Sequence, residues 1–296
     1  MTWPQARVTI VCGPLAASLF EGYPLCERII PLKKQPYNRH WLALWWQVVG
    51  TRWDGVIDLR NSAVSRLIVA RRRFVFGSHI DAQAHKVYQN AQVMRVSPPP
   101  APKLWFTAEQ RRKAETFIPD EGGLVLAVGP TAHWIGKTWP VGRFIETVQW
   151  TIRAGGVMEG ARVAVFSAPG EEPAARQLLD SLPPERRIDL IARTDPATSA
   201  AVLARCDFYL GNDSGLMHCA SAVGIPTLGL FGPSYPALYA PWGSHARFVS
   251  TPESFDQLTA YEGYDPKTLT HSLMESLTVE AVEEAIEAMW VKPSGL

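Results

Sequence analysis

The sequence predicts an α/β protein built from two Rossmann-like, doubly wound domains facing a cleft. Two observations carry that expectation: short apolar runs alternate with helical patterns along both halves, and a proline-rich stretch divides the halves. The halves also carry opposite charge. Residues 1–103 hold 14 Lys/Arg against 5 Asp/Glu, a formal +9, whereas residues 104–296 hold 15 against 23, a formal −8. With 47% hydrophobic and 19% charged residues over 296 positions, the composition is globular and can bury a sizeable core.

In the first half, residues 7–12, 28–32, 55–59 and 74–76 read as strands. Trp41, Leu44, Trp45 and Val48 recur at helical spacing, as do Val64, Leu67 and Ile68, so a helix is expected over each set. The stretch 97–102, Ser-Pro-Pro-Pro-Ala-Pro, lacks most backbone donors and favours extended chain, as a linker does. The expected division is therefore 1–103 for the first domain, 104–277 for the second and 278–296 for a closing helix. In the second half the strands are 124–128, 162–167, 188–191, 208–210 and 227–231, which implies parallel βαβ winding. Between them, Val141, Phe144, Ile145, Val148 and Ile152 form one apolar helical face, Asp195 before Pro196 starts another helix, and Thr278 caps the last.

Several function classes are disfavoured. The longest apolar run, 41–50, falls well short of the roughly 20 residues a membrane span needs. Residues 8–20 have the hydrophobicity of a signal-peptide centre, but Gly13-Pro14 interrupts them, and they read as a strand. Cys12, Cys26, Cys206 and Cys219 show neither zinc-site nor disulfide-framework spacing, which fits a reducing cytoplasm. Nothing resembles a nucleic-acid-binding motif, and no G-x-G-x-x-G follows a predicted strand, which argues against a nicotinamide-dependent oxidoreductase. The basic first half suits an anionic partner, although Arg71-Arg72-Arg73 reads equally well as solvated surface. Trp41, Trp45 and Trp46 read as core at this spacing; the alternative is contact with an anionic lipid surface, helped by Arg39 and Arg52.

The most informative segment is 211–233. An apolar run ends in Gly211-Asn212-Asp213-Ser214-Gly215, a short helix follows, and Pro226 and Gly232-Pro233 bound the next apolar run. This places a polar turn at the carboxyl end of a strand, where open α/β sheets bind ligands and a helix N-terminus offers amide hydrogens to an anion such as a diphosphate. His218 stands four residues after Ser214, so both can face one ligand.

Asp-Ser-Gly-x-x-His, then Ala-x-x-x-Gly-x-Pro and Leu-Phe-Gly-Pro, resembles the donor-site signature of the glycosyltransferase family 9 heptosyltransferases. The block 129–140, with Lys137 before Trp139-Pro140, and the block 274–280 are similar to two further segments of that family. The resemblance runs from about Arg7 onward. It implies the GT-B version of the fold and inverting, metal-independent transfer of a heptose-like sugar from an ADP-sugar to an acidic glycolipid of the lipopolysaccharide core. No cofactor is implied. The implied partners are a nucleotide-diphosphate sugar and an anionic glycolipid, with no nucleic acid, and the implied location is cytoplasmic, with peripheral contact at the inner membrane.

The chemistry needs positive charge at the departing diphosphate. Lys137, in the loop after a predicted strand, is the candidate catalytic residue; its plain alternative is a solvent lysine before a helix start. The candidate donor-binding residues are Thr131, His133, Glu171, Thr194, Asp213, Ser214, Gly215 and His218. Asp213 and Ser214 are equally good helix N-caps, and an aspartate beside a diphosphate is expected to orient by accepting from Lys137 or ligand hydroxyls. Glu171 is implied to meet the ribose or sugar and Thr194 to line the base pocket, while Arg60 and Arg66 are the acceptor-side candidates.

In one respect the sequence departs from the family pattern. Members begin with an apolar strand and a Gly-Asp loop whose aspartate acts as base, and the strand at 7–12 looks like the family's second. The expectation is an incomplete first domain, lacking the central strand of a 3-2-1-4-5 order, from a late recorded start or a specialised relative. Neither Asp54 nor Asp58 stands in the corresponding loop. The alternative function is sugar-nucleotide binding without catalysis on the same scaffold.

Overall fold

The computed structural model describes residues 3–120 and 122–290, and the chain divides into two units, Met1–Trp105 and Phe106–Leu296. The last part of the expected closing helix, residues 291–296, lies outside the described residues.

Unit 1 contains β1 (Val8–Cys12), β2 (Cys26–Pro31), α1 (Arg39–Val48), β3 (Trp53–Asp58), β4 (Ala70–Val75) and α2 (Lys86–Met94). Among the described residues its strands form two separate parallel pairs, β1 with β2 and β3 with β4, rather than one sheet. Each pair therefore has two open edges, and the apolar cluster is small: Ile30, Leu44, Val48, Val64 and Ile68 are buried together, with Trp41, Trp45, Trp53 and Val56 packed on them. The Trp45 indole donates to the Leu67 carbonyl at 3.1 Å and the Trp53 indole to the Val48 carbonyl at 3.0 Å, so both rings satisfy their one polar atom while filling space.

Two expectations for this half are corrected. Gly13-Pro14 ends β1 at Cys12, and Pro14–Phe20 is a 3₁₀ turn instead of a continuing strand. The helix expected over Val64, Leu67 and Ile68 is a single 3₁₀ turn, Val64–Arg66. Arg73 closes its end: the guanidinium donates to the carbonyls of Ser65 at 2.9 Å and Ile68 at 2.6 Å, so those acceptors are satisfied without helical amides.

Unit 2 contains α3 (Ala108–Phe117), β5 (Val125–Gly129), α4 (Val141–Ile152), β6 (Arg162–Ser167), α5 (Glu172–Asp180), β7 (Arg187–Ile191), α6 (Pro196–Leu203), β8 (Phe208–Asn212), α7 (Gly215–Val223), β9 (Thr227–Phe231), α8 (Pro236–Tyr239), β10 (Ala246–Ser250), α9 (Phe255–Thr259) and α10 (Val279–Met289). Its six strands form one parallel sheet in the order β10-β9-β8-β5-β6-β7. Every residue of β5, β8 and β9 is buried, as expected of central parallel strands covered on both faces. One face packs Leu126, Val128, Leu210 and Leu228 against Phe144, Leu178 and Val282; the other packs Ala127, Ala164 and Tyr209 against Ala114, Val202 and Met217.

The caps read from sequence are present. Asp195 accepts from Ala197 and Thr198 N–H groups at the start of α6, and Thr278 accepts from Ala281 N–H at the start of α10. β10 was not expected; it is the edge strand beyond β9, and with three of its five residues exposed it lacks the apolar run that marks the others. Among the described residues, no helix is long and apolar enough to cross a membrane.

Candidate functional site

All strands of the unit 2 sheet run the same way, so the segments leaving their carboxyl ends share one edge. From β5 the chain winds outward through β6 to β7, then returns to β8 and winds the other way through β9 to β10. The winding reverses between β5 and β8, the kind of position at which open α/β sheets bind ligands. Lys137 follows β5 and Asp213 follows β8.

These two side chains meet. Lys137 Nζ donates to Asp213 Oδ2 at 2.6 Å, with the aspartate side chain 8% exposed and the lysine 29%. His218 Nε2 lies 4.0 Å from the other carboxylate oxygen. Asp213 is fixed from behind by its own N–H, which donates to the Leu230 carbonyl of β9 at 3.0 Å. Ser214 is the N-cap of α7, and its Oγ accepts from Met217 N–H at 3.5 Å. The remaining first-turn amides have no helical acceptor, and they add partial positive charge beside the ammonium. A Cβ placed on Gly215 would meet no atom within 4 Å, so the space over this turn is open. α7 ends at Gly224, whose φ of 92° is a left-handed cap.

Three residues beneath this edge were not singled out in the sequence. Asn212, fully buried at the end of β8, accepts the Trp139 backbone N–H on Oδ1 at 3.0 Å. Trp139, also fully buried, donates its indole N–H to the Leu277 carbonyl at 2.9 Å, tying the Lys137 loop to the segment before α10. Tyr209 lies on the opposite face of β8, its ring covering Gly129 and Gly211, where any Cβ would collide with the phenol oxygen. Burial pushes this phenol well above its ordinary pKa, with the Ser214 hydroxyl the main opposing influence. The signal available in sequence was a polar residue closing an apolar strand, Asn212, and two glycines ending neighbouring strands. Cys219 on α7 is no nucleophile at neutral pH, because burial pushes its thiol up to about 11.

The other candidates spread along the same edge. Thr131 is half-buried and His133 exposed, both in the loop of Lys137. Glu171 is the N-cap residue of α5, after β6, but its side chain makes no capping hydrogen bond; the neighbouring Gly170 N–H donates to the Glu172 carboxylate at 2.9 Å. Thr194 follows β7 and bonds Ser199 Oγ at 2.7 Å. β7 lies three strand spacings from β8, roughly 14 Å, which separates Thr194 from Asp213.

Arg60 and Arg66 belong to unit 1. Both follow β3 and are exposed, and Arg66 donates to Asn61 Oδ1 at 2.5 Å. Asp58, at the end of β3, accepts from the Arg60 and Ser62 N–H groups at 2.8 and 2.7 Å and from Ser62 Oγ at 2.8 Å. Burial acts to raise its pKa, but the hydrogen bonds from Arg60, Ser62 and Ser65 outweigh it and hold the carboxyl below its ordinary value. Its oxygens are committed to a turn.

The model of glycosyltransferase family 9 (heptosyltransferase) matches residues 41–263. Lipooligosaccharide heptosyltransferase 2 of Haemophilus influenzae is 27% identical over 204 residues, 65% of this chain; the chain spans 57% of that relative's length. Among solved structures, the glycosyl transferase family 9 protein of Veillonella parvula superposes with a TM-score of 0.76 at 20% identity, covering 97% of this chain and 88% of the other. E. coli ADP-heptose lps heptosyltransferase II superposes with a TM-score of 0.70 at 20% identity, covering 97% and 90%. The fold is that of GT-B enzymes.

Proposed function

Because the chain belongs to glycosyltransferase family 9, the heptosyltransferase family, we propose that it transfers a heptose-like sugar from an ADP-sugar to an acidic lipopolysaccharide-core acceptor, with inversion and without a metal. The observation that carries the reading is the Lys137–Asp213 pair beside the α7 N-terminus, at the point where the sheet reverses its winding. Transfer breaks the bond between the sugar's anomeric carbon and the diphosphate oxygen, the acceptor hydroxyl oxygen forms the new one, and the hydroxyl proton passes to a base or to water. The electron pair leaves with the diphosphate. An ammonium and preset amide hydrogens stabilise that charge most where water is scarce. In this reading Lys137 leaves Asp213 for the diphosphate, Ser214 and Gly215 present the amide edge, and His218 reaches a phosphate or sugar hydroxyl. Thr131 and His133 flank the phosphates. Glu171 and Thr194 stand at increasing distance along the edge, in the sense expected for an extended nucleotide. The name of E. coli ADP-heptose lps heptosyltransferase II supports adenine as the base.

Arg60 and Arg66 are the acceptor-side residues of the proposal, suited by charge to an anionic glycolipid. Peripheral membrane contact goes with such an acceptor. Its support is the outward face of α1, where Leu42 and Trp46, one turn apart, are 59% and 68% exposed on a helix that begins at Arg39.

A thermal-shift series with ADP-, UDP-, GDP- and CMP-sugars tests the donor. Only a ligand that binds the native state raises the melting temperature, so the ADP conjugate is expected to give the largest shift. A larger shift from another nucleotide rejects the ADP assignment. The second reading, binding without transfer, draws on the engagement of Asp58 in its turn, which leaves that carboxylate unable to serve as base. A product assay run beside the binding measurement separates the two.

A further inference from the structure

We propose that Asn212 is a positioning residue that holds the Lys137 loop in register with the Asp213 turn, so that the ammonium is aimed before a ligand arrives. The proposal rests on the donor-site reading of Lys137 above. Two consecutive residues at the end of β8 grip two positions of one loop: Asp213 takes the Lys137 ammonium at 2.6 Å, and Asn212 takes the Trp139 backbone N–H at 3.0 Å.

The two grips differ in kind. The lysine contact is made by a long, partly exposed side chain that can swing to a new partner. The asparagine contact is made to backbone, between two fully buried residues, and stays in place when the lysine changes partner. The loop is clamped from its other side as well: the Trp139 indole donates to the Leu277 carbonyl, and Arg143 donates to the same carbonyl at 2.6 Å. Asn212 is thus the buried, backbone-directed link between this clamped loop and the strand that leads to Asp213.

The asparagine also carries a cost. Its Nδ2 is buried and has no hydrogen-bond partner among the described residues. A leucine, like Leu210 on the same face of the strand, would fill the position without an orphan donor. What an asparagine supplies and a leucine does not is the acceptor for Trp139. Preset geometry of this sort is what electrostatic stabilisation of a leaving group requires, since a charge that must first be ordered spends its advantage on ordering.

The test uses the full chain, ADP as the probe, and the substitutions Asn212→Leu and Lys137→Ala, alone and together. Asn212→Leu removes the acceptor with the same number of side-chain heavy atoms but a larger volume, so Asn212→Ala, which adds none, is run beside it and should give the same acceleration of exchange; Asn212→Asp, which keeps an acceptor oxygen at the size of asparagine, serves as rescue. In ligand-free protein, amide hydrogen exchange of residues 134–139 should accelerate in Asn212→Leu and stay protected in Asn212→Asp, with β5 and β8 unchanged in both. By calorimetry, Asn212→Leu should weaken ADP binding about tenfold, the scale of one lost hydrogen bond. In the Lys137→Ala background the same substitution should cost nothing further, because the residue it positions is gone. Unchanged exchange at 134–139, or affinity losses that simply add, would overturn the proposal. A native chain that fails to bind ADP rejects the donor reading instead, and the exchange measurement still decides the role of Asn212.

Discussion

The Lys137 ammonium lies 2.6 Å from Asp213 Oδ2, joining the loop after β5 to the turn after β8 at the place where the sheet reverses its winding. Under the proposed donor role this pair is the resting state of a mobile charge: the buried aspartate holds the lysine, and an arriving diphosphate would compete for it with more negative charge and with the amides of α7 beside it.

Lys137→Ala should therefore abolish most transfer without unfolding the protein. Loss of one stabilising group at a developing charge lowers kcat by about 100- to 1,000-fold. The far-ultraviolet circular dichroism and the melting cooperativity should be retained, because the side chain is partly exposed and packs into no core. Transfer at the native rate would remove Lys137 from the mechanism.

Gly129→Ala should destabilise unit 2 by about 1–3 kcal/mol, since its new Cβ would collide with the Tyr209 phenol oxygen. Tyr209→Phe in the same chain removes the offending oxygen and should restore most of that loss. Gly211→Ala should not be rescued in this way, because the Gly129 carbonyl also stands 2.8 Å from the position its Cβ would take. Chemical denaturation of the single and double variants measures the difference. Equal rescue at both glycines would contradict the packing described.

Asp58 gives a pH dependence. Its carboxyl is held below the ordinary value, so its stabilising contribution is present above the unfolded carboxylate value of about 4 and is lost as pH falls through the lower folded value. Asp58→Ala should cost about 1–3 kcal/mol at neutral pH by leaving the Arg60 and Ser62 donors without their acceptor. The gap between variant and native protein should close as the solution is acidified through that range. A gap that stays constant with pH would show that the turn is held by something else.

Leu42→Ala and Trp46→Ala should each weaken binding to vesicles containing anionic lipid by about tenfold, the scale of removing one large apolar side chain from a buried contact. Sedimentation with anionic and with neutral vesicles, at low and high salt, reads both the apolar and the charge components. Partitioning unaltered by either substitution would dismiss α1 as the contact.

Much of unit 2 was legible in sequence because its signals are local. β6 and β9 lie where the apolar runs place them, and Asp195 and Thr278 cap helices through hydrogen bonds to their own chain neighbours. The turn at Asp213 and the loop at Lys137 could be read as strand-end segments. What could not be read was long-range. Asn212 and Trp139 are 73 positions apart, and nothing near either residue announces the bond. Unit 1 shows the same limit from the other side. Three of its strands could be found, but the fourth, expected at 74–76, begins at Ala70 and runs through the Arg71-Arg72-Arg73 charge run; the division into two pairs depends on pairing partners, and the carbonyls of Ser65 and Ile68 are taken by Arg73 from outside their segment.

The most direct measurement is a crystal structure of the protein with ADP bound. The account predicts the diphosphate at the carboxyl edge of β5 and β8, within hydrogen-bond reach of Lys137 Nζ and of the Gly215 and Leu216 amides, with Lys137 drawn away from Asp213. Nucleotide bound elsewhere, with the Lys137–Asp213 pair intact and that edge empty, would contradict it.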